Sequence, residues 1–397
     1  MHCLVGIDDT DSSRGFCTTY LGYRIAADLS DVLEVLPFPR LVRLNPNIPF
    51  KTRGNAAVCL LIDAPDPDRA FARLSAKVSE LSDVEGGANT GMVFLDDPGV
   101  ARSFDRLYSD ALCGVVNPHR ARRTIAEAGA RSFELGNGMG LVGAASALAF
   151  DERYDHTYEL ISYRLPERFG TMRKLDPDSV FRMDSETFPR TLNNVDHQKR
   201  KVLISPHGPD PVLAGVRGDS PDTVLGAFRS LVLDEDPQGH MVYVSNQHTD
   251  AHLERKLDWK AYSSGWDEGE VVGVDVGQGG HTYVSINCAG TRRLCSAYEP
   301  TGDLRRAAKL LKPGDRLRVY GGVRRATKLH SKTLNLETFE VLASAKGGLP
   351  RGTYISSPRA NRHLTKPLSR YGREAPSYLP NVPEGWLSRP VMAPVPA

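Results

Sequence analysis

The chain has 397 residues, 40% of them apolar, which suffices for two to four domains with ordinary cores. No run of about 18 apolar residues occurs, and no basic segment and apolar core open the chain, so neither a membrane span nor a signal peptide is expected and a cytoplasmic location is. Net charge is only +2, but it is unevenly spread: residues 346–397 carry eight Lys/Arg against two acidic residues, leaving 42 basic and 46 acidic residues in a mildly acidic body.

Cys3, Leu4, Val5 and Ile7 read as a short buried strand that ends in three carboxylates within four positions, Asp8, Asp9 and Asp11. Such crowding is costly without a counter-charge. Beside the hydroxyls of Thr10, Ser12 and Ser13, these are hard oxygen ligands of the kind Mg²⁺ uses when it also holds substrate phosphates. The following Ser-Ser-Arg-Gly turn, with Arg14, leads into a helix starting near Cys17, whose N-terminal N–H groups could face a phosphate. A nucleotide site is one reading. An Asx-rich turn capping a helix is the other.

The pattern next predicts a helix over 18–31, strands over 32–44 and 56–63 around a loop carrying Lys51 and Arg53, a helix over 68–82 and a strand over 91–95. That order is βαββαβ. A Gly-rich turn containing Gly86 and Asn89 precedes the last strand and could bring backbone N–H groups close to a phosphate. Residues 101–129 read as a helix with Arg120, Arg122 and Arg123 on a solvated face. Gly136 to Gly143 then mimics a dinucleotide-binding fingerprint, but no second strand ending in Asp or Glu follows about twenty residues on. Close packing of a helix on a sheet is the expected use of these glycines.

A second βαββαβ order follows, with a helix over 139–149, strands over 158–165 and 202–216, a helix over 221–232 and a strand over 241–245. A ferredoxin-like domain is its simplest folding. Asp155, Glu159, Asp210 and Asp250 could receive a cationic substrate on a carboxylate fork, or each could equally cap a turn. From Glu270 the texture changes: three strands, a helix over 301–311 and two further strands give the order of an OB-fold barrel. Arg316, Arg318 and Tyr320 alternate along one face, with Arg324, Arg325, Lys328 and Lys332 in the next loop, which suits a nucleic-acid strand by charge and by stacking.

The six cysteines, Cys3, Cys17, Cys59, Cys113, Cys288 and Cys295, are scattered and read as free thiols of a reducing compartment. Cys288 and Cys295 stand seven apart, the wrong spacing for a zinc knuckle, and no cysteine follows. The tail, 346–397, has nine prolines, and disorder is expected for part of it.

Several stretches resemble one family in order along almost the whole chain: GIDDTDSSRGFCTTYL (6–21), RLNPNIPFKTRGN (43–55), GNGMGLVGA (136–144), DHTYEL (155–160), PHGPDPVLAGVRG (206–218) and HLTKPLSRYG (363–372). They resemble TiaS, the archaeal 2-agmatinylcytidine synthetases that act on the isoleucine tRNA with a CAU anticodon. The resemblance covers roughly residues 1–375 and implies an α+β multidomain fold: an N-terminal α/β kinase-like ATP-binding domain (1–130), a ferredoxin-like domain with the agmatine site (131–258), an OB-fold tRNA-binding domain (266–345) and a basic Pro-rich tail (346–397). It implies ATP and Mg²⁺ as cofactors, with Asp8, Asp9 and Asp11 holding metal and orienting ATP, and Thr10, Arg14, Lys51, Arg53, Gly86 and Asn89 around the nucleotide. Thr18 matches the family position that becomes autophosphorylated, although Thr19 is chemically equivalent. Asp155, Glu159, Asp210 and Asp250 are the agmatine candidates; Arg316, Arg318, Tyr320, Arg324, Arg325, Arg362, Lys366 and Arg370 are those for tRNA.

The chain departs from the family at two points. His248 stands where the family has glycine, and the four-cysteine zinc ribbon after the OB domain is missing, so no zinc site is expected and a separate zinc-ribbon partner is one way to supply its grip. These departures leave a catalytically inactive tRNA-binding protein as the alternative to the synthetase.

Overall fold

The computed structural model describes residues 1–357 apart from Arg53, Gln198, Lys199 and Leu329. Arg53, Arg362, Lys366, Arg370 and the reading of the tail therefore lie outside the described residues. The described residues divide into two units, one formed by residues 1–195 and 202–249, the other by residues 196–201 and 250–357.

The first unit is built on a ten-stranded sheet. Its elements are β1 (His2–Asp8), α1 (Thr18–Asp28), β2 (Arg40–Arg43), β3 (Ala56–Asp63), α2 (Pro67–Glu80), β4 (Gly91–Leu95), α3 (Asp105–Cys113), α4 (Pro118–Glu127), β5 (Arg131–Glu134), α5 (Leu141–Leu148), β6 (Thr157–Arg164), α6 (Pro177–Thr187), β7 (Val212–Gly218), α7 (Pro221–Arg229) and β8 (Pro237–Ser245). The strand order is β5-β4-β1-β3-β2-β8-β6-β7, followed by the short strand Thr191–Leu192. Two βαββαβ halves with the same internal order thus lie side by side. They join where β2 and β8 run parallel, Arg40 opposite Val244 and Leu41 opposite Ser245. β1 is central and buried from Cys3 to Ile7, as its unbroken apolar run requires when both faces of a sheet are covered.

Several elements differ from the sequence-based expectation. The second βαββαβ half begins at β6 and takes α6 and Thr191–Leu192 as its first helix and second strand, whereas the helix expected there over 139–149 is α5, which packs on β1; the strand expected over 32–44 is Glu34–Val35 and β2. The helix expected over 101–129 breaks between α3 and α4, because Pro118 cannot continue a helix and Asn117 instead caps the next one, its Oδ1 accepting the His119 N–H at 2.9 Å. The long strand expected over 202–216 is only Lys201–Val202 and β7, since the prolines at 206, 209 and 211 cannot join a ladder. Helix α6 had no strong periodic signal; Asp176 opens it by accepting from the N–H groups of Asp178 and Ser179.

The second unit holds a closed five-stranded barrel: β9 (Ser264–Val276), β10 (Thr282–Cys288), β11 (Thr291–Ala297), β12 (Arg316–Arg324) and β13 (Thr333–Ala343). Antiparallel pairs link β11-β10-β9-β12-β13, and a parallel β11–β13 pairing closes the ring. The helix α8 (Asp303–Ala308) lies between the third and fourth strands, where the sequence order put it. Cys288 and Cys295 are buried in this barrel's apolar core. Among the described residues no helix is long and apolar enough to cross a membrane.

Candidate active site

The acidic turn sits at the C-terminal end of β1, where the sheet and α5 meet. Glycine makes that meeting possible. A methyl on Gly6 would stand 2.8 Å from the Ala144 carbonyl carbon of α5, and one on Gly140 would stand 2.6 Å from Gly91 N and 2.7 Å from Asp8 O. The GNGMG segment therefore serves helix-on-sheet packing, as its lack of a partner strand suggested, and it brings the first turn of α5 against the Asp8 carboxylate.

Burial, reinforced by the neighbouring Asp9 charge, pushes the Asp8 carboxyl well above the ordinary carboxylate range. Burial also raises Asp9, to about 6, with Asp11 adding to the rise while the Asn89 N–H, donating to Asp9 Oδ2 at 3.2 Å, works against it. Asp9 itself has φ of 58°, in the left-handed region, which turns its carboxylate away from the path of β1. Asn89 is a junction: Thr90 Oγ1 donates to Asp9 O at 2.9 Å beside it, and Asn89 Oδ1 accepts the Asn137 N–H at 3.1 Å. Ser12 and Arg14 both bind Asp83, the Arg14 Nε at 3.0 Å, so Arg14 clamps the turn from outside. Gly86 is needed beside them because its N–H donates to Asp83 Oδ1 at 3.1 Å and a side chain there would overlap Asp83.

Asp8, Asp9 and Asp11 line a cavity of about 650 Å³. Lys51, Thr52, Asn55, Asn117, His119, Arg122 and Asn137 supply other polar side chains, and Leu44, Ile48, Phe50, Val115, Met139 and Val142 an apolar wall. Arg122 also ties α4 to this loop, donating to Glu134 at 2.7 Å and to Asn137 O at 3.0 Å. Thr10, Arg14, Gly86 and Asn89 are not among the lining residues; they brace the turn from behind. Among the described residues no three His, Cys, Asp or Glu side chains converge as a metal cage.

A second cavity of about 240 Å³ lies between the two halves of the same unit, lined by Cys17, Thr18, Thr19, Arg43, Glu159, Asp210 and Arg217 among others. Asp11, Gly54 and Ala56 line both cavities, so the two are separated by a thin common wall. Thr18 is buried, its Oγ1 3.0 Å from Thr10 Oγ1. Of the four carboxylates proposed for a cationic substrate, Glu159 and Asp210 reach this cavity. Asp155 is buried but does not line it, and Asp250 belongs to the second unit. Glu159 already lies between Arg43 at 3.1 Å and Arg217 at 2.9 Å. Burial alone would raise its carboxyl, but the two arginines outweigh that and bring it down to about 2. Asp210 pairs with Arg173 at 3.1 Å.

On the barrel, Arg316, Arg318 and Tyr320 do share one face, as alternation requires. Arg318 is held by Glu268 at 2.6 Å and stacks over Trp266 at 5.3 Å, and Arg316 lies 3.7 Å from Glu268, so part of this face's charge is neutralised internally. Arg324 donates to Tyr298 at 3.3 Å, while Arg325 is exposed. The sequence reading missed Arg43, Arg217, Phe50, Asn117 and His119 as site residues. For Arg43 and Arg217 the sequence signal was no more than their place at the ends of apolar strands.

Comparison with known proteins agrees with this arrangement. The family model for the TiaS TCKD domain matches residues 4–137 and that for the TiaS FLD domain residues 138–252. The tRNA 2-agmatinylcytidine synthetase TiaS of Cenarchaeum symbiosum is 42% identical over 339 residues, covering 84% of this chain and 75% of that one. A solved complex of TiaS with its isoleucine tRNA and ATP is 33% identical with a TM-score of 0.83, covering 94% of this chain and 99% of that one. A complex of TiaS with the same tRNA, AMPCPP and agmatine gives the same coverage and 33% identity with a TM-score of 0.81. All of these are tRNA agmatinylcytidine synthetases. The chain belongs to the TiaS family.

Proposed function

We propose that this chain attaches agmatine to C2 of the wobble cytidine in the isoleucine tRNA with a CAU anticodon, using ATP, so that the tRNA reads AUA. The observation that carries this reading is the paired cavity: a larger one lined by three carboxylates and a lysine, and a smaller one lined by Thr18, sharing Asp11 as a wall. In this reading residues 1–130 are the ATP-binding, kinase-like catalytic domain and residues 131–258 a ferredoxin-like domain. Residues 266–345 are an OB-fold for tRNA, with the tail 346–397 standing in place of a zinc ribbon. The repeated strand order of the two halves and the ring closure of the barrel support those fold assignments. A cytoplasmic location goes with a tRNA substrate.

The C2 oxygen of cytosine is a poor leaving group. It must be activated by phosphoryl transfer before an amine can displace it, and phosphoryl transfer is chiefly positioning and charge neutralisation. The apolar wall of the larger cavity suits a purine ring, and Lys51 suits the phosphates. The residues fit Mg²⁺: Asp8, Asp9 and Asp11 bring hard carboxylate oxygens to one cavity, and Mg²⁺ needs only one or two of them when phosphates and water complete its shell. When bound, that ion would neutralise charge on the transferring phosphate. Asp8 or Asp9 can take the proton that agmatine's amine must lose to attack. Phosphoryl transfer to the C2 oxygen releases ADP, and attack of the neutral amine at C2 then expels that oxygen as inorganic phosphate. Thr18 is the acceptor of a separate autophosphorylation, in which its Oγ bonds to the γ-phosphorus, the bond to the bridging oxygen breaks, ADP leaves with the electron pair, and the hydroxyl proton passes to a carboxylate of the turn or to water. In the smaller cavity Glu159 is held by two arginines and Asp210 by one, Arg173, so Asp210 is the less fully neutralised carboxylate that a guanidinium could meet there.

The test is incubation with ATP, Mg²⁺, labelled agmatine and a transcript of this tRNA, beside Asp8→Ala. ATP-dependent label that vanishes in the variant is the expected result. If the tRNA binds and stays unlabelled, even with a separate zinc-ribbon protein added, the inactive tRNA binder replaces this reading.

A further inference from the structure

The turn that carries Thr18 is fastened to the other half of its unit by two tyrosine hydroxyls. Tyr163 on β6 donates to Thr19 O at 2.9 Å and Tyr243 on β8 donates to the same carbonyl at 2.7 Å, with the two hydroxyl oxygens 3.0 Å apart. Both tyrosines are fully buried. A buried phenol costs free energy unless it finds a partner, and here both converge on one backbone carbonyl in the first turn of α1.

The surroundings keep the two phenols fixed. Tyr163 stacks on Tyr23 at 4.9 Å and packs against Tyr20 at 5.5 Å. Tyr20 and Tyr23 reach across to Gln238, at 3.1 Å and 3.2 Å. Gly22 lets α1 lie close enough, since a methyl there would already stand 3.3 Å from the Tyr243 hydroxyl. On its other side the Thr18 hydroxyl meets Thr10, one residue from Asp9 and Asp11. So Thr18 is held between the acidic turn of one half and a tyrosine pair of the other.

We infer that Tyr163 and Tyr243 are positioning residues for phosphoryl acceptance at Thr18, fixing its main chain from the half that forms the smaller cavity. The inference rests on Thr18 being the acceptor. Neither tyrosine lines either cavity, so neither touches ATP or the amine directly. Replacing a hydroxyl that locates a reacting group should therefore lower the rate of transfer and spare nucleotide binding, since a displacement of about 1 Å can cost a hundredfold in rate.

The experiment compares Tyr163→Phe, Tyr243→Phe, the double variant and Thr18→Ala. It reads phosphate on Thr18 by mass spectrometry in a single turnover, KM for ATP against kcat for agmatine incorporation, and the melting temperature. The double variant is expected to remain folded, to keep KM for ATP within about twofold, and to lose tenfold or more in both Thr18 phosphorylation and kcat; each single variant should lose about threefold. Unchanged phosphorylation in the double variant, with Thr18→Ala inactive, overturns the positioning role alone. So does a loss of ATP affinity equal to the loss of kcat, which would mark a general structural defect. Should Thr18→Ala still carry phosphate and incorporate agmatine, the acceptor assignment fails, and this inference falls with it.

Discussion

Asp8 and Gly143 fit each other with nothing to spare: a methyl on Gly143 would stand 2.6 Å from Asp8 Cγ and overlap its Oδ2. With Asp8 Cβ itself 3.1 Å from that methyl, rotating the carboxylate alone leaves a tight contact. The absence of a side chain on α5 is thus what leaves room for the first carboxylate of the acidic turn.

Gly143→Ala should therefore act as a catalytic mutation although the residue carries no chemistry. We expect a folded protein in which Asp8 is displaced, ATP binds weakly and agmatine incorporation falls about a hundredfold, the scale that a 1 Å misplacement produces. Calorimetry with ATP and the incorporation assay check this; wild-type affinity in the alanine variant would show that α5 can retreat.

Glu159 offers a prediction about stability. Its carboxyl is buried between Arg43 and Arg217, and removing one partner of a buried ion network leaves uncompensated charge. Glu159→Gln should cost about 3 kcal/mol in urea unfolding. The pH dependence has a definite sign. A folded-state value near 2, below the ordinary 4.5, means the contribution is fully present above about pH 5 and is lost as pH falls toward 2. The glutamine variant should lose less stability than wild type over that window; parallel acid-unfolding curves would sink the idea.

On the barrel, the same arithmetic separates two arginines. Arg318 already pairs with Glu268 and must give up that bond to meet a phosphate, whereas Arg325 is exposed. Arg325→Ala should weaken tRNA binding and reduce the slope of log affinity against log salt by about 1. Arg318→Ala should change that slope by less and lower the melting temperature more. Filter binding at several salt concentrations, with thermal unfolding alongside, decides between them.

These cases show where sequence was a good guide and where it was not. The strands at 56–63 and 91–95 were read to the residue, because buried strands announce themselves as apolar runs. The barrel order was legible because the helix between its third and fourth strands is local in sequence. The acidic turn and Thr18 were legible through a motif. Arg43 and Arg217 were not, because their importance comes from a carboxylate 116 positions from Arg43 along the chain, and the strand pairing that joins them is long-range. Gly86 and Asn89 show a further limit of sequence: a Gly-rich turn can cradle phosphate or brace a neighbouring loop, and only the structure shows that these two N–H groups donate to Asp83 and Asp9.

Asp83 is the bracing residue that the sequence did not mark at all. It accepts from Ser12 and from Arg14, and its own N–H donates to Thr10 O at 3.0 Å, so it holds the acidic turn at both ends. The Arg14 hydrogen bond, with Ser12 assisting, keeps its carboxyl well below the usual range, so Asp83 remains an ionised acceptor for both. Asp83→Asn keeps the size and removes the charge. It should raise KM for ATP about tenfold by loosening Asp9 and Asp11, with a smaller change in kcat, because the turn can still close on bound nucleotide. Arg14→Ala should give a milder version of the same effect, since Ser12 still holds Asp83. Steady-state kinetics on the two variants check the order; a stronger effect from Arg14→Ala would mean that the guanidinium contacts nucleotide itself, as the family resemblance suggests.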